Sequence, residues 1–185
     1  LPIDLAAAGH GWLAHPLFLP REFRHWLADG GSLTQRLKLC CRDFRVRPVS
    51  VGIGRANLDE RAALRLAANE PAYVRDVVLQ CEGEAVVFAH SVAAAASLRG
   101  PWAAVGRLGA RPLGEALFSN PAVERGPLWF RRIDRRHALA RQAARAGIVL
   151  AGRTVWARRS LFTLQGHPLM VTEVFLPAIL SRECS

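Results

Sequence analysis

Two hairpin-like stretches constrain the fold of this chain more than any other feature. AYVRDVVLQC (72–81) and AVVFAHSVA (85–93) are β-rich runs joined by Glu82-Gly83-Glu84, and a short Gly-containing turn between two such runs reads as a hairpin. RTVWARRSLFTLQ (153–165), a Gly166-His167 turn and PLMVTEVFLPAIL (168–180) repeat the pattern, with the last strand ending at Pro177. Hairpins require antiparallel pairing. Helical segments lie around them, so the expected class is α+β and a doubly wound parallel sheet is excluded. A short helix is expected over 21–29. Pro20 suits its start and Gly30 and Gly31 stop it. Ser32 is a good N-cap for a second helix, SLTQRLKLCC. FRVRPVSVGIG (44–54) alternates as a half-buried strand does, and Pro48 within it predicts an edge position or a bulge. LDERAALRLAANE (58–70) reads as a helix ended by Pro71, 98–118 as a helical region broken by glycines and Pro112, and 123–134 as a further strand. HALARQAARAG (137–147) has helical propensity.

With 185 residues, 51% of them apolar and 22% charged, the chain is long enough for one globular domain, 1–185, with a substantial core. No run approaches the ~18 uninterrupted apolar residues of a membrane span, so no integral membrane segment is expected. The opening LPIDLAAAGHGWLAHPLFLP lacks a basic start and carries Asp4. It makes a poor secretion signal, and a cytoplasmic location is expected. Cys40, Cys41, Cys81 and Cys184 form no C-x-x-C pattern and read as reduced thiols. His10 and His15 are a poor metal pair, GIGRAN at Gly52 lacks the third glycine of a dinucleotide fingerprint, and no phosphate-loop or G-x-S-x-G motif exists. No metal site is expected.

The net charge is +10, and all but one of the 25 basic residues, Lys38, are arginine. Such a field attracts anions: nucleic acid, an anionic membrane, or a small carboxylate. Residues 131–159 hold nine arginines and one acid, Asp134. A reader of single strands should interleave aromatics on a sheet face. Trp129, Phe130 and Trp156 flank this stretch without forming such a motif, so it reads as a solvated basic helix beside an anion-binding site, with no specific nucleic-acid partner.

Two charged residues stand out because they interrupt apolar strands. Tyr73, Arg75 and Val77 share one strand face, and so do Val171, Glu173 and Phe175. A guanidinium or carboxylate in such a setting is costly unless paired. Either Arg75 and Glu173 pair with each other or with edge charges, or they serve a ligand.

W-L-x-x-x-x-S-L-T-x-R-L, Y-V-R-D-V-V-L, R-P-L-G-E-A-L-F and P-L-M-V-T-E-V-F-L-P, in this order from about Trp26 to Pro177, resemble the chorismate lyase family. The last motif is the most specific, and the joint occurrence of four makes the resemblance strong. It implies a single domain with a largely antiparallel sheet, helices packed on it, and an internal ligand pocket under helical flaps. It implies the conversion of chorismate to 4-hydroxybenzoate and pyruvate, the first committed step of ubiquinone biosynthesis, with no metal or organic cofactor and slow product release. By the same resemblance Arg75 grips the ring carboxylate, Glu173 meets the ring hydroxyl as base or as orienting group, and Leu33 and Leu113 offer backbone contacts to the product. His90 stands where some members carry arginine. It is either a second anion contact or a neutral core or pocket histidine, and its place in an alternating apolar strand favours the second. Residues 1–20 read as an N-terminal extension and 134–159 as an Arg-rich insertion. A monomer is expected. The alternative function is a non-catalytic, small-carboxylate-sensing domain of the same architecture, as in certain transcription regulators. Those carry a separate winged-helix domain, for which some 20 residues before the first helix are too few. A basic nucleic-acid-binding protein is the third reading.

Overall fold

The computed structural model describes residues 11–15, 19–150 and 154–182. His10 and Cys184, and with them most of the expected N-terminal extension, lie outside the described residues. The described residues form five α-helices: α1 (Arg21–Leu27), α2 (Leu33–Cys40), α3 (Leu58–Leu64), α4 (Leu113–Phe118) and α5 (Ala138–Arg145). They also form seven strands: β1 (Phe44–Gly54), β2 (Ala72–Cys81), β3 (Glu84–Ala94), β4 (Glu124–Arg125), β5 (Trp129–Ile133), β6 (Val155–Leu164) and β7 (His167–Phe175). These make one sheet in the order β1-β2-β3-β7-β6-β4, with β5 also on β6. Every pairing is antiparallel.

Both hairpins close through two left-handed residues, Glu82 (φ 48°) with Gly83 (φ 81°) and Gln165 (φ 51°) with Gly166 (φ 79°). Such turns match the right-handed twist of their strands. The second turn therefore lies one residue earlier than the sequence suggested, and His167 opens β7. Pro48 sits on the edge strand at a register shift between Pro48 and Ser50, as a proline lacking an N–H requires. Ser32 caps α2 by accepting from the Gln35 amide, and Asn57 with Glu60 forms a capping box on α3. The broken helical region expected over 98–118 resolves into 3-10 turns at Ala95–Arg99 and Val105–Arg107, followed by α4.

The sheet is covered on both sides. On the front, α1 and α2 pack Trp26, Leu27, Leu33 and Leu37 on Val77, Ala89 and Phe175. Leu113 and Leu117 of α4 pack with Tyr73, Phe162 and Leu169. On the back, Leu139, Ala140 and Ala143 of α5 meet Val78, Phe88 and Val174, while Ala63 and Leu64 of α3 meet Val92 and Met170.

Two expectations are corrected. Cys41 and Cys81 are not reduced thiols: a disulfide joins them, with Cα atoms 5.3 Å apart. They are 40 residues apart in sequence, and the pairing of Phe44 with Cys81 at the sheet edge brings them together. The Arg-rich stretch 131–159 is not all a solvated basic helix, and its first residues belong to β5. Its last residues belong to β6, where Arg158 and Arg159 are 1% and 2% exposed.

Candidate active site

Strand alternation and register assemble the front face in rows. Val77, Ala89, Glu173 and Arg158 are cross-strand neighbours across β2, β3, β7 and β6, and Arg75, Ser91, Val171 and Ser160 form the adjoining row. The first turns of α2 and α4 lie over them. Leu33, Thr34, Leu113, Gly114 and Phe118 join these rows in lining a cavity of about 580 Å³, its open mouth included. Gly114 permits the closeness of the two helices. A Cβ there would stand 3.0 Å from Ser32 Oγ and 3.1 Å from Thr34 Oγ1. Leu33 and Leu113 are each the first residue of their helix, where backbone N–H groups have no intrahelical partner.

The charged lining consists of Arg75, Arg125, Arg158 and Glu173. Arg75 is 2% exposed. Its Nη2 donates to the carbonyls of Gly109 (3.1 Å) and Arg111 (2.9 Å), and its buried Nε has no partner. Burial pushes its pKa down, opposed by Tyr73. Arg75 and Glu173 do not pair with each other. Glu173 instead accepts from Arg158 Nε. Arg158 Nη1 donates to the carbonyls of Trp26 (3.0 Å), Leu27 (3.3 Å) and Asp29 at the end of α1, tying that helix to the cavity. Arg125 is held by Ser160 Oγ at 2.9 Å and by the Gly30 and Gly31 carbonyls. Its guanidinium lies 5.4 and 5.3 Å from the Phe118 and Phe162 ring centres. Burial, then the Arg158 charge, pushes its pKa down, against the pull of Glu173 and Asp29.

Arg75, Glu173, Leu33 and Leu113 thus meet in one cavity. His90 does not join them. It faces the back of the sheet, 1% exposed, with Nδ1 on Asp76 Oδ1 and Nε2 3.2 Å from Glu60 Oε1. Nor is it neutral. Burial works to lower its pKa, but the Glu60 charge and the Asp76 hydrogen bond outweigh that and raise it to about 10. The reason for the correction is a bulge. From the Cys81–Glu84 pair an unbroken hairpin would set His90 opposite Arg75, but the register shifts at Leu79/Gln80 and sets Arg75 opposite Ser91 and His90 opposite Asp76. A one-residue slip sends a side chain to the other face.

Arg125, Arg158, Ser160 and Phe162 were not singled out from the sequence. For the last three a signal existed, since they alternate along β6 with the parity of one face. Arg158 is hidden in the basic stretch 131–159, and Arg125 lies outside both that stretch and the four motifs. Among the described residues, no group of three or more His, Cys, Asp or Glu is placed to hold a metal.

The chorismate lyase family model matches residues 14–185, almost the whole chain. The chain belongs to the chorismate lyase family. Relatives carrying the name "Probable chorismate pyruvate-lyase" include one from Thiobacillus denitrificans, 54% identical over 95% of this chain and 94% of its own length. Another, from Nitrosospira multiformis, is 45% identical over 95% and 97%. Among solved structures, the ligand-binding domain of a GntR-family transcriptional regulator from Bordetella bronchiseptica aligns with TM-score 0.51 at 19% identity, covering 73% of this chain and 85% of that one. The C-terminal domain of the histidine utilization repressor from Pseudomonas syringae aligns with TM-score 0.52 at 12% identity, over 74% and 93%. At such identities these two share the fold with the chorismate lyase chain and no more. No helix among the described residues is long and apolar enough to cross a membrane.

Proposed function

We infer that the chain is a chorismate pyruvate-lyase, a carbon–oxygen lyase that splits chorismate into 4-hydroxybenzoate and pyruvate. Beside family membership, the observation that carries this reading is the charge of the cavity. Three arginines stand against one glutamate among its described lining residues, a net of two positive charges, and chorismate carries two carboxylates. Carboxylates suit guanidinium groups in an enclosed, partly desolvated site.

Arg75 anchors the ring carboxylate, using donors that the Gly109 and Arg111 carbonyls leave available. Glu173, positioned by Arg158 through one carboxylate oxygen, meets the ring hydroxyl with the other. The backbones at Leu33 and Leu113 close over the ring. In the reaction the hydrogen leaves the hydroxyl-bearing ring carbon and the neighbouring carbon–oxygen bond breaks. The ring becomes aromatic, and the enolpyruvate fragment gains a proton to become pyruvate. Aromatisation drives this elimination, so positioning and polarisation supply most of the catalysis.

The test is to incubate the purified chain with chorismate and follow 4-hydroxybenzoate and pyruvate by chromatography. Equal appearance of both is expected; absence of both, with 4-hydroxybenzoate still bound, would leave a small-carboxylate-binding domain. Glu173→Gln separates the two roles of Glu173. A base costs about 10²–10⁴ in kcat when removed, and near-normal turnover would leave Glu173 as an orienting group only.

The chain is taken to act as a monomer, since one copy supplies both the arginines and the glutamate of the cavity; gel filtration tests this. Its cytoplasmic placement is tested by cell fractionation with thiol counting, because the Cys41–Cys81 bond is of a kind that reducing compartments disfavour.

A further inference from the structure

We propose that Arg125 is the binding residue for the second carboxylate of the substrate, the one on the enolpyruvyl side chain, at the opposite end of the cavity from Arg75. This rests on the lyase reading above and extends it to a residue that the sequence motifs did not reach.

The guanidinium of Arg125 is fixed but not neutralised. Its described partners are the Ser160 hydroxyl, two backbone carbonyls and two phenyl rings. None carries charge, and no described carboxylate lies within 4 Å of it, whereas Arg158 has Glu173. A rigid, partly desolvated cation with Nη2 donors to spare is preorganised for an incoming carboxylate.

Its position matches the shape of the substrate. Arg125 holds Ser160 on β6, which lies in the same cross-strand row as Arg75 on β2, with β3 and β7 between. Three strand spacings separate the two backbones by about 14 Å, and both side chains reach into the cavity between. Glu173 on β7 stands nearer the Arg125 side. Chorismate carries its ring carboxylate and its hydroxyl at opposite ends of the ring, with the enolpyruvyl ether on the carbon beside the hydroxyl. With the carboxylate on Arg75 and the hydroxyl on Glu173, the ether and its carboxylate point to the Arg125 end. Arg158, the other cation there, is already engaged by Glu173 and the α1 carbonyls.

The same contact bears on the chemistry. As the carbon–oxygen bond breaks, its electron pair passes to the enolpyruvate oxygen. Arg125 then faces growing negative charge on the departing fragment. 4-Hydroxybenzoate lacks that fragment and does not use Arg125.

Two ligands of equal ring geometry test this by calorimetry: meta-(carboxymethoxy)benzoate, a dicarboxylate, and meta-methoxybenzoate, which lacks the second carboxylate. The wild-type chain should prefer the first by about tenfold or more, the scale of a charge-assisted pair. In Arg125→Gln the preference should fall to about one and kcat/KM for chorismate should drop about 100-fold. Its affinity for 4-hydroxybenzoate should stay within about threefold, and Arg125→Lys should recover part of the preference. A preference retained in Arg125→Gln overturns the proposal. So does a parallel loss of 4-hydroxybenzoate binding, which would mark Arg125 as a structural prop only. Turnover by the wild-type chain is read separately. If it is absent while the dicarboxylate preference still depends on Arg125, the lyase reading fails and the binding assignment stands.

Discussion

On the back of the sheet, His90, Asp76 and Glu60 satisfy one another, and Arg159 reaches Asp59 at 3.1 Å. On the front, Arg75 and Arg125 have only neutral partners, and the space beside them is open. The same strands supply both sides: Arg75 and Asp76 are consecutive, as are Arg158 and Arg159, and Thr172 and Glu173. On β2, Asp76 of the closed back cluster is thus one residue away from Arg75, whose partners are neutral. A buried ion cluster closed on itself has nothing left to bind. A cavity whose cations lack carboxylates has affinity stored for an anion.

That contrast is broken most severely at His90. His90→Leu leaves Glu60 and Asp76 buried without their cation, and chemical denaturation should show a loss of about 3–5 kcal/mol, with 4-hydroxybenzoate binding by the remaining folded molecules nearly unchanged. The pH dependence follows from the direction of each shift. His90 is raised from 6.5 to about 10, so its contribution is complete below pH 6.5 and is lost as the pH climbs towards 10. For Glu60, burial works to raise the pKa, but the His90 charge and the hydrogen bonds from His90 and Asn57 hold it below 4.5. Its contribution is present above that value and fades under acid. In His90→Leu the alkaline decline should disappear; a decline of equal slope would place its origin elsewhere.

The front face responds in the opposite sense. Arg75→Ala should weaken 4-hydroxybenzoate about 100-fold, the worth of one or two charge-assisted hydrogen bonds, while its midpoint of denaturation moves less than that of His90→Leu. Comparable losses of stability in the two variants would erase the distinction between the faces. The smallest effect is expected at Gly114→Ala. Its new methyl group must displace Ser32 Oγ or Thr34 Oγ1 by a few tenths of an ångström, so ligand affinity should fall about threefold through the shifted helix starts, with little change in melting temperature. An unchanged affinity would show that the close approach of α2 and α4 does not shape the site.

Much of this architecture was legible along the chain because its determinants are local. Ser32 announces α2, Pro48 marks an edge irregularity, and the Gly83 and Gly166 turns announce the hairpins. Period-two alternation puts Arg75 with Tyr73 and Val77, and Glu173 with Val171, because a strand side chain's face depends only on its neighbours. The resemblance to the family supplies the roles proposed for those two residues.

Partnership could not be read the same way. Arg158 reaches Glu173 because β6 lies against β7, and it reaches Trp26, Leu27 and Asp29 only because α1 folds over the front of the sheet. Glu60 meets His90 because α3 covers the back, and Cys41 meets Cys81 where α2 ends beside the first strand pair. The bulge at Leu79/Gln80 moved His90 from one face to the other with no proline or glycine to signal it. The sequence by itself determined which segments become strands and helices and which residues of a strand share a side, since these follow from short-range geometry. The tertiary structure alone decided which charges are neutralised and which remain for a ligand, since that depends on strand order and helix placement across distant parts of the chain.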